Sequence, residues 1–406
     1  MPMKDNPTVT VLVLVEAGSK YEEKSNNGIS HFLEHMCFKG TEKRPKALDI
    51  LEELDSTGSV CNAFTSLEYT GYYAKADAKH FGNIFDIVSD IYLNSTLPEK
   101  EIEKEKGVII EEINMYKDIP QKRVSDLFTR LLYKDQPAGR NIAGEKENVL
   151  RMKRKDFLAY KSAHYLPEAT VIVVAGHIKE EEVLRKARKI FGTVSRGKKF
   201  CKVKVKESQK KPEILLEYKK TDQTHFMLGV RTYDLFDKRD MALELLSGVL
   251  SGGMSSRLFL KLREEMGVGY YVRSGNDAFT DHGFFQISSG VDNKRIKEVL
   301  RAVLEECRKL VKYKIKKSEL DKAKECLISG MKFSLESTDD VANFYGEQEI
   351  LKKEIQTVKE KVLEIKKISS DDLQKLAKGI FKNQNLNLAM VGPFKDKAGF
   401  SKILKF

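Results

Sequence analysis

Two of the chain's seven histidines, His31 and His35, stand one helical turn apart in the stretch HFLEHMCFKGT, with Glu34 between them. Histidines at i and i+4 project from one helix face closely enough for both imidazoles to reach one ion, at zinc–nitrogen distances of about 2.0–2.1 Å. Glu34 stands beside that face, where its carboxylate can accept a proton from a water that the metal activates. A catalytic zinc needs a third protein ligand and an open fourth position. The plain alternative is a surface helix that shows His and Glu to water.

A second segment offers the carboxylate. LPEKEIEKEKGVIIEEINMYKD opens on Pro98, a first-turn residue, and its spacing predicts a helix to about Tyr116. Ile102, Ile109, Ile113 and Tyr116 form its apolar face, and Glu105 and Glu112 flank that stripe seven residues apart. Lys100, Lys104 and Glu111 suit a solvated surface. Carboxylates at the edge of a buried face are a different matter, because burying a charge is costly without a partner. From pattern alone, structural and ligand roles for the pair both stand.

The elements that must position these groups are legible as periodicities. Asn26 or Asn27 can cap the histidine helix, which runs to about Phe38. Ile29, Phe32, Leu33 and Met36 follow i, i+3, i+4, i+7, which leaves His31, Glu34 and His35 on the other side. TVTVLVLV, ATVIVVAG, THFMLGVRT and LNLAMVG read as strands. The fold class is α+β, with helices on one side of largely antiparallel sheets. A strand–helix–loop–helix order that begins at Gly71 recurs from Gly283, so the chain reads as two homologous domains, residues 1–207 and 208–406.

Length and composition agree with that division. At 406 residues the chain exceeds one ordinary core, and 41% hydrophobic with 33% charged residues is a folded composition. The formal charge of +12 raises a nucleic-acid reading. Yet ten Lys or Arg against three Glu fall between Arg196 and Lys220, a net of +7 in one stretch. Val203 and Val205 alternate with lysines there, which predicts a charge-guarded edge strand. No helix-turn-helix, zinc-knuckle or ribonucleoprotein pattern accompanies it, and no nucleic-acid partner is expected. Five cysteines without regular spacing fit free thiols in a reducing compartment. The N-terminal run VTVLVLV is mostly β-branched and stops at Glu16, so it reads as a strand and not a signal peptide. No stretch approaches the roughly 20 apolar residues of a spanning helix. The expected location is the cytoplasm.

His31-x-x-Glu34-His35, 76 intervening residues and then Glu112 resembles the inverted zinc motif of the pitrilysin, insulin-degrading enzyme and mitochondrial processing peptidase family. The flanks HMCFKGT and NAFTSLEYTGYY, and then LYKDQPAGRNIAG, HYLPEATVIVVAGHI and MSSRLFLKLREEMGVGYYV, fall in that family's order over nearly the whole chain. Relatives usually carry one more strand before the one that begins near Thr8.

The resemblance implies a zinc metalloendopeptidase with one Zn2+ per chain, held by His31, His35 and Glu112. Glu34 would be the general base that takes a proton from the attacking water and passes it to the leaving amine. Glu105 would be an auxiliary carboxylate that keeps the site in order. GSVCNAFT resembles the edge strand on which the family lays its substrate, with Asn62 and Ala63 as contacts. Arg263 and Tyr270 match a pair that grips the peptide and helps stabilise the oxyanion. The second half has no His-x-x-Glu-His counterpart. Relatives of this length pair two chains, like or unlike, to close a chamber around unstructured peptides or presequence-like segments, so a homodimer or a heterodimer is implied. The alternative is a non-catalytic or partner-dependent subunit of the same fold.

Overall fold

β1 (Thr8–Val15) is buried at every residue after its first, which is why its sequence runs continuously apolar instead of alternating. In the computed structural model, which describes residues 1–192, 194–269 and 271–406, β1 lies inside a four-stranded antiparallel sheet. The order is β2-β3-β1-β4, with β2 at Val60–Thr65, β3 at Thr70–Asp77 and β4 at Thr170–Gly176. Val9, Val11, Val13 and Val15 pack with Phe32 and Leu33 of helix Ile29–Cys37 and with Ile84 and Val88 of helix Phe81–Leu93. Leu12 and Leu14 point to the other face, against Val341, Ala342 and Ile350 of helix Thr338–Leu351. Each fully buried side chain of this size contributes about 1.5–3 kcal/mol.

The second sheet repeats the plan. β5 (Glu213–Tyr218), β6 (Gln223–Thr232), β7 (Val272–Ala278), β8 (Gly283–Asp292) and β9 (Leu386–Gly392) take the order β5-β9-β6-β8-β7. Only the β5–β9 pair is parallel. Phe226, Leu228 and Val230 join a core with helices Asp240–Ser251 and Ile296–Lys312, while Met227, Ala389 and Val391 pack against Val124, Leu127 and Phe128 of helix Pro120–Tyr133. Tyr218 pairs with Gly392 in this sheet, and in the first sheet Pro2 makes a parallel bridge to the equivalent Gly176.

The α+β class with two largely antiparallel sheets is therefore observed, but the helices do not keep to one side. Each sheet has a second face covered by a single helix, and that helix comes from the other half of the sequence. One compact unit holds residues 1–115, 140–203 and 333–355; the other holds 116–139, 204–332 and 356–406. Each compact unit thus takes one helical segment from the other half of the sequence.

The edge strand expected around Val203 and Val205 does not form; residues 196–212 have no regular structure. Side chains take the amides that a ladder needs. The Val205 N–H donates to Asp281 Oδ2 at 2.9 Å and the Lys206 N–H to Gln136 Oε1 at 2.7 Å.

Candidate metal centre

Helix Ile29–Cys37 starts from Gly28, whose φ of 101° lies in the left-handed region. A Cβ on Gly28 would also meet the Ala143 carbonyl oxygen at 2.7 Å, so the turn requires glycine on two counts. The expected Asn26 or Asn27 cap is absent. Instead the buried Glu22 carboxylate accepts from the Gly28 and Ser30 amides at 2.8 Å each. Asn27 donates its side-chain amide to the same carboxylate at 2.8 Å, bracing the group that does the capping.

The apolar stripe Ile29, Phe32, Leu33 and Met36 is fully buried, as its spacing predicts. The opposite face is not open to water. Glu34 is only 8% exposed, and His31 and His35 are half-buried. Helix Glu99–Asp118 brings Glu105 and Glu112 to this face while Ile102, Ile109 and Ile113 enter the core.

His31 Nε2 lies 3.5 Å and His35 Nε2 3.6 Å from Glu112 Oε2, and one donor atom from each residue falls within 4.8 Å of the others. Those two separations are long for hydrogen bonds. They are close to the edge of a tetrahedron with arms of about 2.05 Å, which is about 3.3 Å. Two imidazole nitrogens and one carboxylate oxygen are a zinc donor set, and the residues fit the ion. Behind them, His35 Nδ1 lies 3.0 Å from Glu105 Oε1, and Lys39 Nζ 2.6 Å from Glu105 Oε2. Donation of the Nδ1 proton to Glu105 leaves the His35 Nε2 lone pair facing the centre. His31 Nδ1 is buried without a hydrogen-bond partner, so nothing polar holds that ring from behind.

Charge follows the same geometry. Burial would lower the His31 pKa, but Glu112, Glu34 and Glu22 outweigh it and hold the imidazole above its ordinary value. Burial raises Glu34, against the Thr65 hydroxyl, which donates to Glu34 Oε2 at 2.5 Å, and the two histidines. Burial would also raise Glu105, 4% exposed, yet hydrogen bonds from His35 and Lys39 keep it below the usual carboxylate range. A pocket that draws a proton onto His31 this way draws a divalent cation more strongly.

Residues 2–146 match the sequence family described as insulinase (peptidase family M16), and residues 151–327 match the one described as peptidase M16 inactive domain. A Bacillus subtilis protein named uncharacterized zinc protease YmxG is 34% identical over 96% of this chain and 95% of its own. The chain belongs to peptidase family M16. An uncharacterized zinc protease of Streptomyces coelicolor is 31% identical over 96% of this chain and 86% of its own. Two solved structures carry the same fold at TM-score 0.89: a Helicobacter pylori protease, 24% identical, covering 97% and 96% of the two chains, and a Pseudomonas fluorescens peptidase M16 inactive domain, 17% identical, covering 97% and 95%.

The other residues singled out in this M16 chain are dispersed. Asn62 and Ala63 lie on β2, the edge of the first sheet, and the Ala63 N–H donates to Asn62 Oδ1 at 2.8 Å. Thr65, at the end of the same strand, is the residue that reaches Glu34. Arg263 sits exposed on a π-helical turn, Leu260–Glu265, with its guanidinium 5.1 Å from the Phe259 ring centroid. Tyr270 lies outside the described residues. Thr65, Lys39 and Glu22 were not singled out from the sequence. Lys39 lies two residues past the end of the histidine helix, so helical spacing carries no signal for it.

Proposed function

We propose that this chain is a zinc-dependent endopeptidase acting on unstructured peptides or presequence-like segments. The convergence of His31, His35 and Glu112, with Glu34 buried beside them, carries the reading. Held by those three residues, zinc supplies Lewis acidity, polarising a carbonyl oxygen and lowering the pKa of water toward ~7.

The chain's own residues do the rest. Glu105 fixes the orientation and tautomer of His35. Glu34 accepts the proton of the attacking water on its carboxylate and delivers it to the leaving amine nitrogen. Thr65 anchors one Glu34 oxygen, and burial makes the carboxylate a stronger base than an exposed glutamate. An extended peptide added to the β2 edge near Asn62 and Ala63 is bound through its backbone, which asks little of its sequence. Arg263 and Tyr270 are assigned to gripping the substrate and the developing oxyanion. Two chains, identical or related, close the chamber, and the location is the cytoplasm. Among the described residues no helix is long and apolar enough to cross a membrane.

Mass spectrometry of unstructured peptides incubated with the zinc-loaded chain, beside its Glu34→Gln variant, tests the reading. Cuts made by the wild type and absent with the variant, at equal zinc content, support it. No cuts by either protein, with zinc bound, favour the binding-subunit alternative. In a chamber closed by two chains, Arg263 of one chain serves the metal site of the other, so an Arg263→Ala chain mixed with a Glu34→Gln chain should regain activity that neither has alone.

A further inference from the structure

A cavity of about 490 Å³ opens within the first unit, and none of His31, His35 and Glu112 lines it. Tyr21, Ile29, Arg151, Tyr160, His164 and Phe200 are among the residues that line it. Its volume is in the range of small-molecule sites.

His164 is the chemically informative member. It is 9% exposed, with ring centroids of Tyr160, Phe200 and Tyr21 at 4.3, 5.3 and 5.8 Å. Among the described residues neither imidazole nitrogen has a hydrogen-bond partner, and neither is among the buried polar atoms sealed from solvent. The unspent nitrogens therefore open onto the cavity. Burial pushes the imidazole down to about 4, so at neutral pH the ring is uncharged and offers one donor and one acceptor.

Several of the other polar groups here are already engaged. Tyr21 OH donates to Glu16 at 2.9 Å, Tyr160 OH and Ser30 Oγ share a bond of 2.7 Å, and Arg151 Nη2 donates to Asn148 Oδ1 at 2.5 Å. What remains includes aromatic surface around the imidazole, with Asn26 Oδ1, buried without a partner, as a further acceptor on the lining. Phe200 is 56% exposed, and ion pairs on either side tether its segment: Lys199 to Glu16, and Lys202 to Glu68 at 3.0 Å. An exposed ring held in place beside a cavity is suited to covering a flat molecule. Glu23 and Asp156 also line the space, and against Arg151 they leave the lining with one net negative charge, which disfavours phosphates and other anions.

We propose that this cavity binds a small, neutral, planar heterocycle of indole or nucleobase size, stacked among Tyr21, Tyr160 and Phe200 and hydrogen-bonded to His164. The site does not rest on the peptidase reading. It does adjoin the histidine helix, because Ile29 lines it and Tyr160 holds Ser30.

The test titrates the zinc-loaded full chain with indole and, separately, with adenine. It follows the ring C–H signal of His164 by NMR, assigned by its loss in His164→Phe, together with saturation transfer to the probe. Saturable binding of at least one probe with a Kd of about 1 mM or tighter is expected. Ala163→Phe, which fills the cavity, and His164→Phe should each weaken it by about tenfold or more, at unchanged zinc content and melting temperature. Should either variant unfold, Phe200→Ala removes an exposed ring and should weaken binding in the same direction. No saturable binding of either probe, or binding that the folded variants leave unchanged, overturns the proposal.

Discussion

Glu105 holds His35 from behind: its Oε1 lies 3.0 Å from His35 Nδ1 while its Oε2 is paired with Lys39 at 2.6 Å. A nearly buried carboxylate with both oxygens engaged cannot drift, and neither can the ring it holds. His31 has no such support, since its Nδ1 is buried without a partner. The two histidines therefore differ in how their orientation is secured. The seven-residue step from Glu105 to Glu112 puts both carboxylates on one helix face, one behind His35 and one beside both Nε2 atoms.

Glu105→Gln keeps the shape and removes the charge that fixes the His35 tautomer. Zinc affinity should fall by about 10–100-fold, with little change in melting temperature of the metal-free chain. Competition against a chromogenic zinc chelator measures it. Wild-type affinity in the variant would mean that Glu105 is only a partner for Lys39.

Thr65→Val removes the hydroxyl that holds Glu34 at 2.5 Å and that lowers its pKa against the effect of burial. Without that bond the carboxylate keeps its proton to higher pH. Because the base must be ionised, the acid limb of kcat/KM should move upward in pH, and kcat should fall several-fold at neutral pH. Zinc content should not change. A pH profile that overlays the wild type would remove Thr65 from the proton-handling machinery.

Much of this site was legible because helices translate spacing into direction. Spacing alone gave the two helices, which the structure bears out over Ile29–Cys37 and Glu99–Asp118, and the face shared by His31 and His35. The choice of Glu112 over Glu105 as the third ligand came from the family resemblance. The cap was not legible in the same way. Glu22 reaches the Gly28 and Ser30 amides through a turn that depends on the positive φ of Gly28, whereas Asn26 and Asn27 have the right side chains in the wrong place. The helix exchange was half legible. The unbroken apolar runs of β1 and β9 imply cover on both faces, but nothing local says that the second layer lies some 330 residues away in one case. The alternation of Lys with Val203 and Val205 had the period of a strand. It failed because Asp281 and Gln136 satisfy the amides first.

Glu22→Ala strips two helix amides and the Asn27 side chain of their acceptor inside a buried turn. The loss should be about 2 kcal/mol or more, at the upper end of helix-cap substitutions. Since the capped helix carries His31 and His35, zinc affinity should fall with it. Urea denaturation of the metal-free chain and chelator competition read the two effects separately. A change of only a few tenths of a kcal/mol in the denaturation would show that Gly28 and the apolar stripe hold the helix without the carboxylate.

Glu244 gives a pH-dependent test in the second unit, away from the metal ligands in sequence and in core. Burial first, then Asp240 and Asp277, raise its pKa from 4.5 to about 7, with Lys361 opposing. The folded state therefore binds more protons than the unfolded state between those two values. Stability contributed by this group is fully present below pH 4.5 and is lost as pH rises through about 7. Glu244→Gln removes the ionisable group, so its advantage over the wild type should be small near pH 4.5 and grow toward pH 8. The side chain is only half-buried and solvent screens it, so the gain should level off at about 2 kcal/mol rather than at the full value of the shift. Denaturant titrations of both proteins at the two ends of the range measure the difference of differences, in which any common effect of pH on the metal site cancels. An advantage that stays constant with pH would mean that Glu244 ionises in the folded protein as easily as it does in the unfolded chain.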